Sequence, residues 1–249
     1  CETPLSNFEV GLGYKNVTDT SIIWKFALEG EKNTFLLAWT TTPWSTLSTM
    51  GLSVGPKFTY VKVRAGDELL IFAKERLEFV MKGISDYEIL EEFSGEKLVG
   101  KKYRHIVPWY SSLPEVKRNK KVYHVFAGDY VEVSEGTGIV TINGSYGEID
   151  YQAVKKNKLP IIMDVNFDGK FNALAKDFEG LDIKEAVKKI NDRFSGKTLQ
   201  ASSEKLSSLN TGPPPSSSPW LSADGVPKVS RKDNFSELKG LIFRHEPIT

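Results

Sequence analysis

The segment at residues 36–44, LLAWTTTPW, most constrains how this chain folds. An apolar run typical of a strand leads into three threonines and then a proline. Because proline has no N–H and restricts the residue before it, Pro43 turns the chain out of the sheet. The segment therefore presents hydroxyls that suit a polar, uncharged ligand such as a ribose or a nucleobase edge. Threonine is also common at the ends of ordinary strands, so a purely structural interpretation stays open.

Short apolar stretches bounded by Gly, Pro or Asp dominate the first two-thirds of the sequence, and few segments have helical spacing. This pattern predicts a mainly β domain (α+β) with peripheral helices, built as a closed or nearly closed β-barrel. The predicted strands are residues 35–39, 58–64, 69–72, 121–126, 130–133 and 138–142. The predicted helices are residues 74–81, 148–157 and 183–194. A turn at residues 64–68 is expected to join two strands as a hairpin.

Domain organisation follows from a change in composition near the end. Residues 1–249 are predicted to form one inserted domain that contains a serine- and proline-rich segment at 200–230. Such a segment buries little apolar surface, so we expect it to be flexible. Residues 234–243 are expected to pair near the start of the domain, since an inserted domain has to return the chain to its host. Because the chain begins with Cys1 and not methionine, we expect it to be a piece of a longer protein.

Composition and charge exclude several classes of protein. With 33 basic and 32 acidic residues, contact with nucleic acid has to come from local patches such as residues 117–121 and 155–158. Most basic runs of this kind are simply solvated surface. The single cysteine excludes an internal disulfide, and the three histidines lack the spacing of metal ligands. No apolar run approaches the roughly 18 residues of a membrane span, so we expect a cytoplasmic domain without a metal or a membrane partner.

A second stretch, residues 129–151, contains the sequences GTGIV and GSYGEIDY. Together with LLAWTTTPW it resembles the editing domain (connective polypeptide 1) inserted in isoleucyl-tRNA synthetases, members of the class I aminoacyl-tRNA synthetases. The family pattern is roughly WTTTPWTLPSN followed by GTGxVHxAPxxGxxDY. Segments 3–10, 164–171 and 177–180 resemble the family in the same order, so the likeness covers residues 1 to about 195. Valyl and leucyl relatives carry TTRPET-like or TLRPET-like runs, so the TPW sequence favours the isoleucyl branch.

The resemblance implies proofreading, the hydrolysis of mischarged Val-tRNA(Ile), with valyl-adenylate as a further candidate substrate. It places Asp150 on the α-amino group of the substrate, whereas the residues alone also allow Asp150 simply to cap a helix. Thr41 and Thr42 are implied to position the adenosine and the attacking water. The other residues implied to bind substrate are Trp39, Thr40, Trp44, Thr49, Gly138, Thr141 and Tyr146. For Gly138, a purely structural role in a tight turn stays open.

The resemblance also implies partners and cofactors. The partners are the aminoacyl end of tRNA(Ile), the valine or other non-cognate aminoacyl group, and the catalytic domain of the parent synthetase. No cofactor is implied in the editing domain, because the ester is already activated. ATP and magnesium belong to the parent enzyme.

The sequence departs from the family pattern at positions that shape the amino-acid pocket. Thr141 stands where the pattern has histidine, and Asn143-Gly144 replaces Ala-Pro. Thr49 replaces asparagine, and Leu47 replaces the usual proline. A threonine places no imidazole, so the pocket is expected to be larger, altered in preference or weakened. The alternative function is therefore a module that binds the aminoacyl end of tRNA without efficient hydrolysis.

Overall fold

The computed structural model of the chain describes residue 6, residues 19–195 and residues 242–248. The strands are β1 (Asp19–Ala27), β2 (Thr34–Thr40), β3 (Gly51–Val54), β4 (Thr59–Ala65), β5 (Glu68–Ala73), β6 (Glu88–Ser94), β7 (His124–Ala127), β8 (Ile139–Ile142) and β9 (Ile242–Ile248). The α-helices are α1 (Leu77–Met81), α2 (Pro114–Arg118), α3 (Glu148–Asn157) and α4 (Ile183–Phe194). Short 3-10 helices occupy Pro43–Ser48, Lys74–Arg76, Gly95–Lys97, Trp109–Ser112 and Ala173–Phe178.

The strands form two mixed sheets. The larger sheet has six strands in the order β6-β4-β5-β2-β1-β9, and the smaller has three in the order β7-β3-β8. Most neighbours are antiparallel, while β2 pairs with β5 and β3 pairs with β7 in parallel. Strand β2 of the larger sheet also contacts β8 of the smaller one. The predicted mainly β fold with peripheral helices is confirmed.

Strand β2 is buried on both faces, and its alternating side chains enter two separate cores. Leu36 and Ala38 join the main core, which also holds Trp24 and Phe26 of β1. Leu37 and its neighbours of the opposite face join a second core beneath α1. Because successive strand residues point to opposite faces, the end of β2 is fixed in direction by both cores at once. The polar segment after β2 therefore starts from a rigid support.

Local sequence signals account for the elements that were predicted. The turn around Gly66 joins β4 and β5 as an antiparallel hairpin, with Gly66 at φ +57°. Helix α4 begins at the cap Asp182, whose side chain accepts a hydrogen bond from the N–H of Lys184. Its Phe194 packs edge-on against Trp24 of β1, with ring centroids 5.3 Å apart. Helices α3 and α4 have the predicted bounds.

Two predicted strands were wrong in whole or in part. Residues 130–133 are irregular, although Val131 is buried and Glu132 is exposed as in a strand. Residues 121–126 become a strand only at His124, because Tyr123 lies in the left-handed region at φ +62° and the chain turns there. Strands β1, β3 and β6 were not predicted.

The chain returns to its beginning through β9, which pairs antiparallel with β1. Asp19 is opposite Ile248 in this ladder. The expected return of the chain therefore occurs at residues 242–248, whereas residues 234–241 and the segment 200–230 lie outside the described residues. None of the helices in the described part of the chain has the length and apolarity needed to cross a membrane.

Candidate functional site

The threonine segment leaves the sheet as predicted. Strand β2 ends at Thr40, and Pro43 begins a 3-10 helix, where its missing N–H costs nothing. The hydroxyl oxygen of Thr40 accepts a hydrogen bond from the N–H of Thr42 at 3.0 Å and lies 3.3 Å from the Thr42 hydroxyl. Thr40 is buried, whereas Thr41 and Thr42 are exposed. The buried threonine thus orients the turn that presents the two exposed ones.

Three hydroxyl side chains then repeat at every third position, at Thr42, Ser45 and Ser48. A 3-10 helix has three residues per turn, so these hydroxyls lie on one face. The Thr42 and Ser45 hydroxyl oxygens are 3.0 Å apart, and Ser45 also donates to the Thr42 carbonyl at 2.8 Å. The segment after β2 is therefore a rigid row of hydroxyls that is open to solvent at Thr42.

Asn143 joins this row to the segment that carries Asp150. Its side-chain N–H groups donate to the Ser45 carbonyl at 2.6 Å and to the Ser48 hydroxyl at 2.8 Å. Asn143 is almost fully buried, so these bonds replace water that burial removes. The departure from the family pattern at this position thus creates a direct connection between the two halves of the site.

Asp150 lies in the first turn of α3, where the helix dipole favours a carboxylate. Burial raises the pKa of Asp150 to about 6, although a hydrogen bond from the backbone N–H of Asn143 opposes the shift. The Asp150 charge in turn adds to the effect of burial in raising the pKa of Tyr130. A carboxylate with so few compensating partners is poised to accept a cation.

An open cleft of about 400 Å³ lies beside this turn. It is lined by Gly144, Ser145, Gly147, Glu148 and Tyr151. A Cβ atom placed on Gly147 would lie 3.9 Å from a carboxylate oxygen of Asp150, so Asp150 adjoins the cleft. The volume falls within the range of small-molecule sites.

Asp164 is a fully buried carboxylate that holds the surroundings of the site together. One of its oxygens accepts hydrogen bonds from Tyr146 and, at 3.0 Å, from Ser48. The other accepts from Tyr110 at 2.5 Å. Burial raises the pKa of Asp164, whereas the three hydroxyl donors lower it. The three donors come from three separate segments, so one buried group fixes their relative positions.

Two aromatic rings flank the hydroxyl row. Trp44 and Tyr146 meet edge-on, with ring centroids 4.8 Å apart and an angle of 66° between their planes. Tyr146 is held by Asp164 and also accepts a hydrogen bond from the N–H of Val165 at 3.0 Å. The structure therefore brings Thr40, Thr42, Trp44 and Tyr146 together and connects them through Asn143 to Asp150.

Trp39 and Gly138 lie elsewhere. Trp39 points to the face of β2 opposite Thr40 and packs against Gly136, where an added Cβ atom would lie 2.9 Å from the Trp39 ring. Gly138 has φ +73° and faces Ala73, and an added Cβ atom there would lie only 2.4 Å from the Ala73 Cβ. These contacts give Gly138 a clear role in shaping the turn.

Thr49 and Thr141 occupy different environments. Thr49 is fully buried at the end of the 3-10 helix, and its hydroxyl has no hydrogen-bond partner within the described residues. Thr141 is half-buried in β8 and pairs with Leu52 of β3. Neither side chain is bonded to the hydroxyl row, although Thr141 is two residues from Asn143.

Sequence reasoning missed Ser45, Ser48, Asn143, Tyr110 and Asp164 as parts of this network. The spacing of three between Thr42, Ser45 and Ser48 is a signal that was available. The convergence on Asp164 was not visible, because the donor residues are up to 116 positions away. Within the described residues, His, Cys, Asp and Glu side chains form no group of three that would suit a metal ion.

Curated relatives identify the family of this segment. An isoleucine–tRNA ligase of Clostridium tetani is 40% identical over 206 residues, which cover 83% of this chain and 19% of that protein. This chain is homologous to a segment of the isoleucine–tRNA ligases. The ligase of Chlamydia caviae is 42% identical over 190 residues, covering 76% of this chain and 18% of its own length. The chain thus spans about a fifth of the curated relatives that it matches.

Solved structures also align with the chain. The structure of GlLeuRS-CP1 has a TM-score of 0.44 and 20% identity, covering 55% of this chain and 59% of its own. The P. knowlesi cytosolic leucyl-tRNA synthetase editing domain has a TM-score of 0.42 and 18% identity, covering 59% and 66%. No family model matches the chain.

Proposed function

We propose that this chain is the editing domain of an isoleucine–tRNA ligase and hydrolyses Val-tRNA(Ile). Homology to these ligases supports the context. The observation that carries the activity is the half-buried Asp150, joined through Asn143 to a row of hydroxyls that ends at the exposed Thr42. A cation site and a set of hydroxyls at a fixed separation suit an aminoacyl ester on a ribose.

Such a site is needed because binding alone discriminates poorly between isoleucine and valine. A pocket for isoleucine rejects valine by only about 1–3 kcal/mol, the isoleucine enzymes being the standard example of this limit. A second site removes the error by hydrolysing the product. Its task is to hold an α-ammonium group and the terminal adenosine while water attacks the ester carbonyl.

Each part of the site has a role in this proposal. The Asp150 carboxylate binds the α-ammonium group through a charge-assisted hydrogen bond. Thr41 and Thr42 are exposed and position the adenosine and the attacking water, with Thr40 and Ser45 fixing Thr42 from below. The water oxygen bonds the ester carbonyl carbon, and a water proton passes, through solvent or relayed by the neighbouring ribose hydroxyl, to the ribose oxygen that leaves. The acyl C–O bond breaks, which releases valine and a tRNA with a free terminal ribose hydroxyl.

The proposal includes partners and surroundings. The aminoacyl end of tRNA(Ile) is the substrate, and the catalytic domain of the parent ligase is the neighbour from which the charged end arrives. Valyl-adenylate is a second candidate substrate, because it carries the same α-ammonium group. We propose a cytoplasmic location and a hydrolytic site without a resident cofactor.

The test is the deacylation of Val-tRNA(Ile) by the wild type and Asp150→Ala. Loss of one charge-assisted contact predicts a fall of about 10- to 100-fold in kcat/KM. Glu185→Ala is the matched control, because Glu185 is an exposed carboxylate in the first turn of another helix, α4, and does not line the cleft beside Asp150. The wild-type rate is also expected to fall as pH drops below about 6, where Asp150 becomes protonated. Equal rates for Asp150→Ala and the wild type would remove Asp150 from the site.

A second candidate function is a module that binds the aminoacyl end of tRNA without efficient hydrolysis. The threonine at position 141 favours it, because it replaces a histidine of the family pattern. Binding of a non-hydrolysable aminoacyl-adenosine analogue without detectable deacylation supports the module, whereas multiple turnovers support the enzyme. Asp150 and the threonine segment are intact, so we propose the enzyme.

A further inference from the structure

Two basic segments that are distant in the sequence meet at the far end of α3. We name them together the basic surface, which consists of Lys117, Arg118, Lys120, Lys121, Lys155, Lys156 and Lys158. The first four belong to α2 and the turn after it, and the others to the end of α3. Residues of both segments line one open depression of about 510 Å³. The fold therefore concentrates seven positive charges that the sequence divides between two segments.

Asn119 fastens the two segments together. Its side-chain N–H donates to the Lys158 carbonyl at 2.6 Å, and its side-chain oxygen accepts from the N–H of Lys121 at 2.9 Å. Lys158 is in the left-handed region at φ +57°, a conformation that favours glycine or asparagine. The N–H of Lys158 bonds the carbonyls of Lys155 and Val154. Hydrogen bonds thus fix the two backbone segments of the basic surface relative to each other, so the proximity of their charges does not depend on side-chain conformation alone.

The basic surface carries its charge without compensation. All seven cations are exposed, and none forms an ion pair with a described residue. Glu115 is the one acid that lines the depression. The helix dipole favours cations at the end of α3, but it gives no reason for Lys120 and Lys121 beyond α2. In a chain with a net charge of +1, such a local excess points to an anionic ligand.

The chemistry of the depression favours RNA over an acidic protein. Its lining residues are all polar or charged. A protein interface normally has a central apolar or aromatic anchor, which is absent from this lining. Phosphate contacts by contrast need only lysine and arginine side chains at several points.

We propose that the basic surface binds the phosphates of the RNA strand that leads to the aminoacylated end. This inference rests on the proposed function, and it adds the position of the RNA. Asp150 lies in the first turn of α3, and Lys158 follows its last turn. The separation of eight residues corresponds to about 12 Å along the helix, at about 1.5 Å per residue. Helix α3 thus holds the amino acid at one end and the RNA backbone at the other.

The experiment measures binding to the full chain of an RNA hairpin that has a single-stranded 3′ CCA end and carries no amino acid. The test variant combines Arg118→Gln, Lys120→Gln, Lys121→Gln and Lys158→Gln. The matched control combines Lys57→Gln, Lys82→Gln, Lys184→Gln and Lys188→Gln, four exposed lysines on other elements that also lack ion pairs with described residues. Both variants lose four positive charges, so any difference between their affinities for RNA depends on where in the protein the charges were removed.

Between about 50 and 200 mM salt, the slope of log Kd against log salt counts the phosphates contacted. The test variant is expected to lose about three to four units of slope and to bind at least about ten-fold more weakly at low salt. The control is expected to keep the wild-type slope. A test variant with wild-type Kd and slope would overturn the proposal. Wild-type binding to polyglutamate but not to the hairpin would also overturn it, in favour of an acidic protein.

A second variant covers the case in which the fourfold change fails to fold. Asn119→Ala keeps all seven charges but removes the two hydrogen bonds that join the segments, so binding is expected to weaken by about two- to five-fold. Hydrolysis of valyl-adenosine, which has no phosphates, separates this inference from the proposed function. If the test variant loses RNA binding but hydrolyses valyl-adenosine at the wild-type rate, the basic surface acts apart from the hydrolytic site. If the wild type hydrolyses neither Val-tRNA(Ile) nor valyl-adenosine, but only the test variant loses RNA binding, the proposed function is wrong and the inference about the basic surface is supported.

Discussion

Charged side chains on the larger sheet form ion pairs, whereas those around the smaller sheet are buried or lack ion pairs within the described part of the chain. On the larger sheet, exposed cations are paired with acids: Arg64 of β4 with Glu88 of β6 at 3.0 Å, and Lys74, directly after β5, with Glu92 of β6 at 2.6 Å. Around the smaller sheet, Asp150 is half-buried and Asp164 is fully buried, and the cations of the basic surface have no ion pair among the described residues.

The difference separates stability from function. Exposed ion pairs contribute only about 0–1 kcal/mol each, so the larger sheet depends on its apolar cores and tolerates changes at its polar surface. Around the smaller sheet, removing the hydrogen bonds to Asp164 would destabilise the fold strongly, whereas the charges of Asp150 and the basic surface, which are unpaired within the described residues, are themselves destabilising. Such an arrangement is typical of binding and catalytic sites.

The largest effect is expected from Asp164→Ala. This change leaves the hydroxyls of Ser48, Tyr110 and Tyr146 without their acceptor in a buried place. We expect the free energy of unfolding to fall by about 3–5 kcal/mol, measured by urea denaturation. Glu92→Ala on the larger sheet is the control, with an expected loss below about 1 kcal/mol. Similar losses for the two variants would contradict the comparison.

Thr141→His tests whether β8 faces the substrate. Replacing the threonine with the imidazole of the family pattern is expected to raise the ratio of valine to isoleucine deacylation. The change should be about ten-fold, within the roughly 1–3 kcal/mol that one methylene carries in such pockets. Thr59→His, a half-buried strand threonine of the larger sheet, should leave the ratio unchanged. An unchanged ratio in Thr141→His would mean that this position does not contact the substrate.

Asp150→Asn is expected to stabilise the protein while it impairs activity. Because burial raises the folded pKa of Asp150 to about 6 from 3.8, the folded state retains a proton that the unfolded state has released. This group therefore makes the wild type less stable as pH rises from about 4 to 6. We expect Asp150→Asn to raise the free energy of unfolding by about 1–2 kcal/mol at about pH 8 and by almost nothing near pH 4. A gain that does not change with pH would contradict this origin.

The smallest effect is expected at the pair Arg64–Glu88 on the edge of the larger sheet. Both side chains are more than half exposed, so solvent screens their attraction. A double-mutant cycle with Arg64→Ala and Glu88→Ala should give a coupling below about 0.5 kcal/mol, which decreases further at high salt. A coupling of several kcal/mol would place this pair with the buried groups of the other sheet.

The fold could be predicted where local patterns determine it and not where pairing does. Helix α3 and the β4–β5 hairpin follow from periodicity and turn residues. Strand β6 carries three acidic residues, so its sequence is not apolar enough to predict, and only pairing with β4 makes it a strand. Strand β3 is four residues long and buried throughout, so it has no alternation to detect. Residues 130–133 alternate correctly but pair with no strand among the described residues.

The same distinction applies to the site. The Thr40–Thr42 segment and Asp150 could be identified because each lies in a recognisable stretch of sequence. The role of each residue in hydrolysis is still a prediction. Asp164 could not be identified, because its function as an acceptor depends on hydroxyls that reach it from three distant parts of the chain. A buried carboxylate has no local signal that distinguishes it from an exposed one.

The antiparallel pairing of β1 with β9 has a mechanical consequence. Asp19 and Ile248 are partners at one end of this ladder. A force that pulls these two residues apart therefore acts on the nearest hydrogen bonds first and opens the ladder one pair at a time. The strands would have to break all their bonds together only if they were pulled along their length in opposite directions. When tension is applied at Asp19 and Ile248, the hydrogen bonds of the ladder therefore break one after another. In a pulling experiment we expect β9 to detach before the two hydrophobic cores unfold.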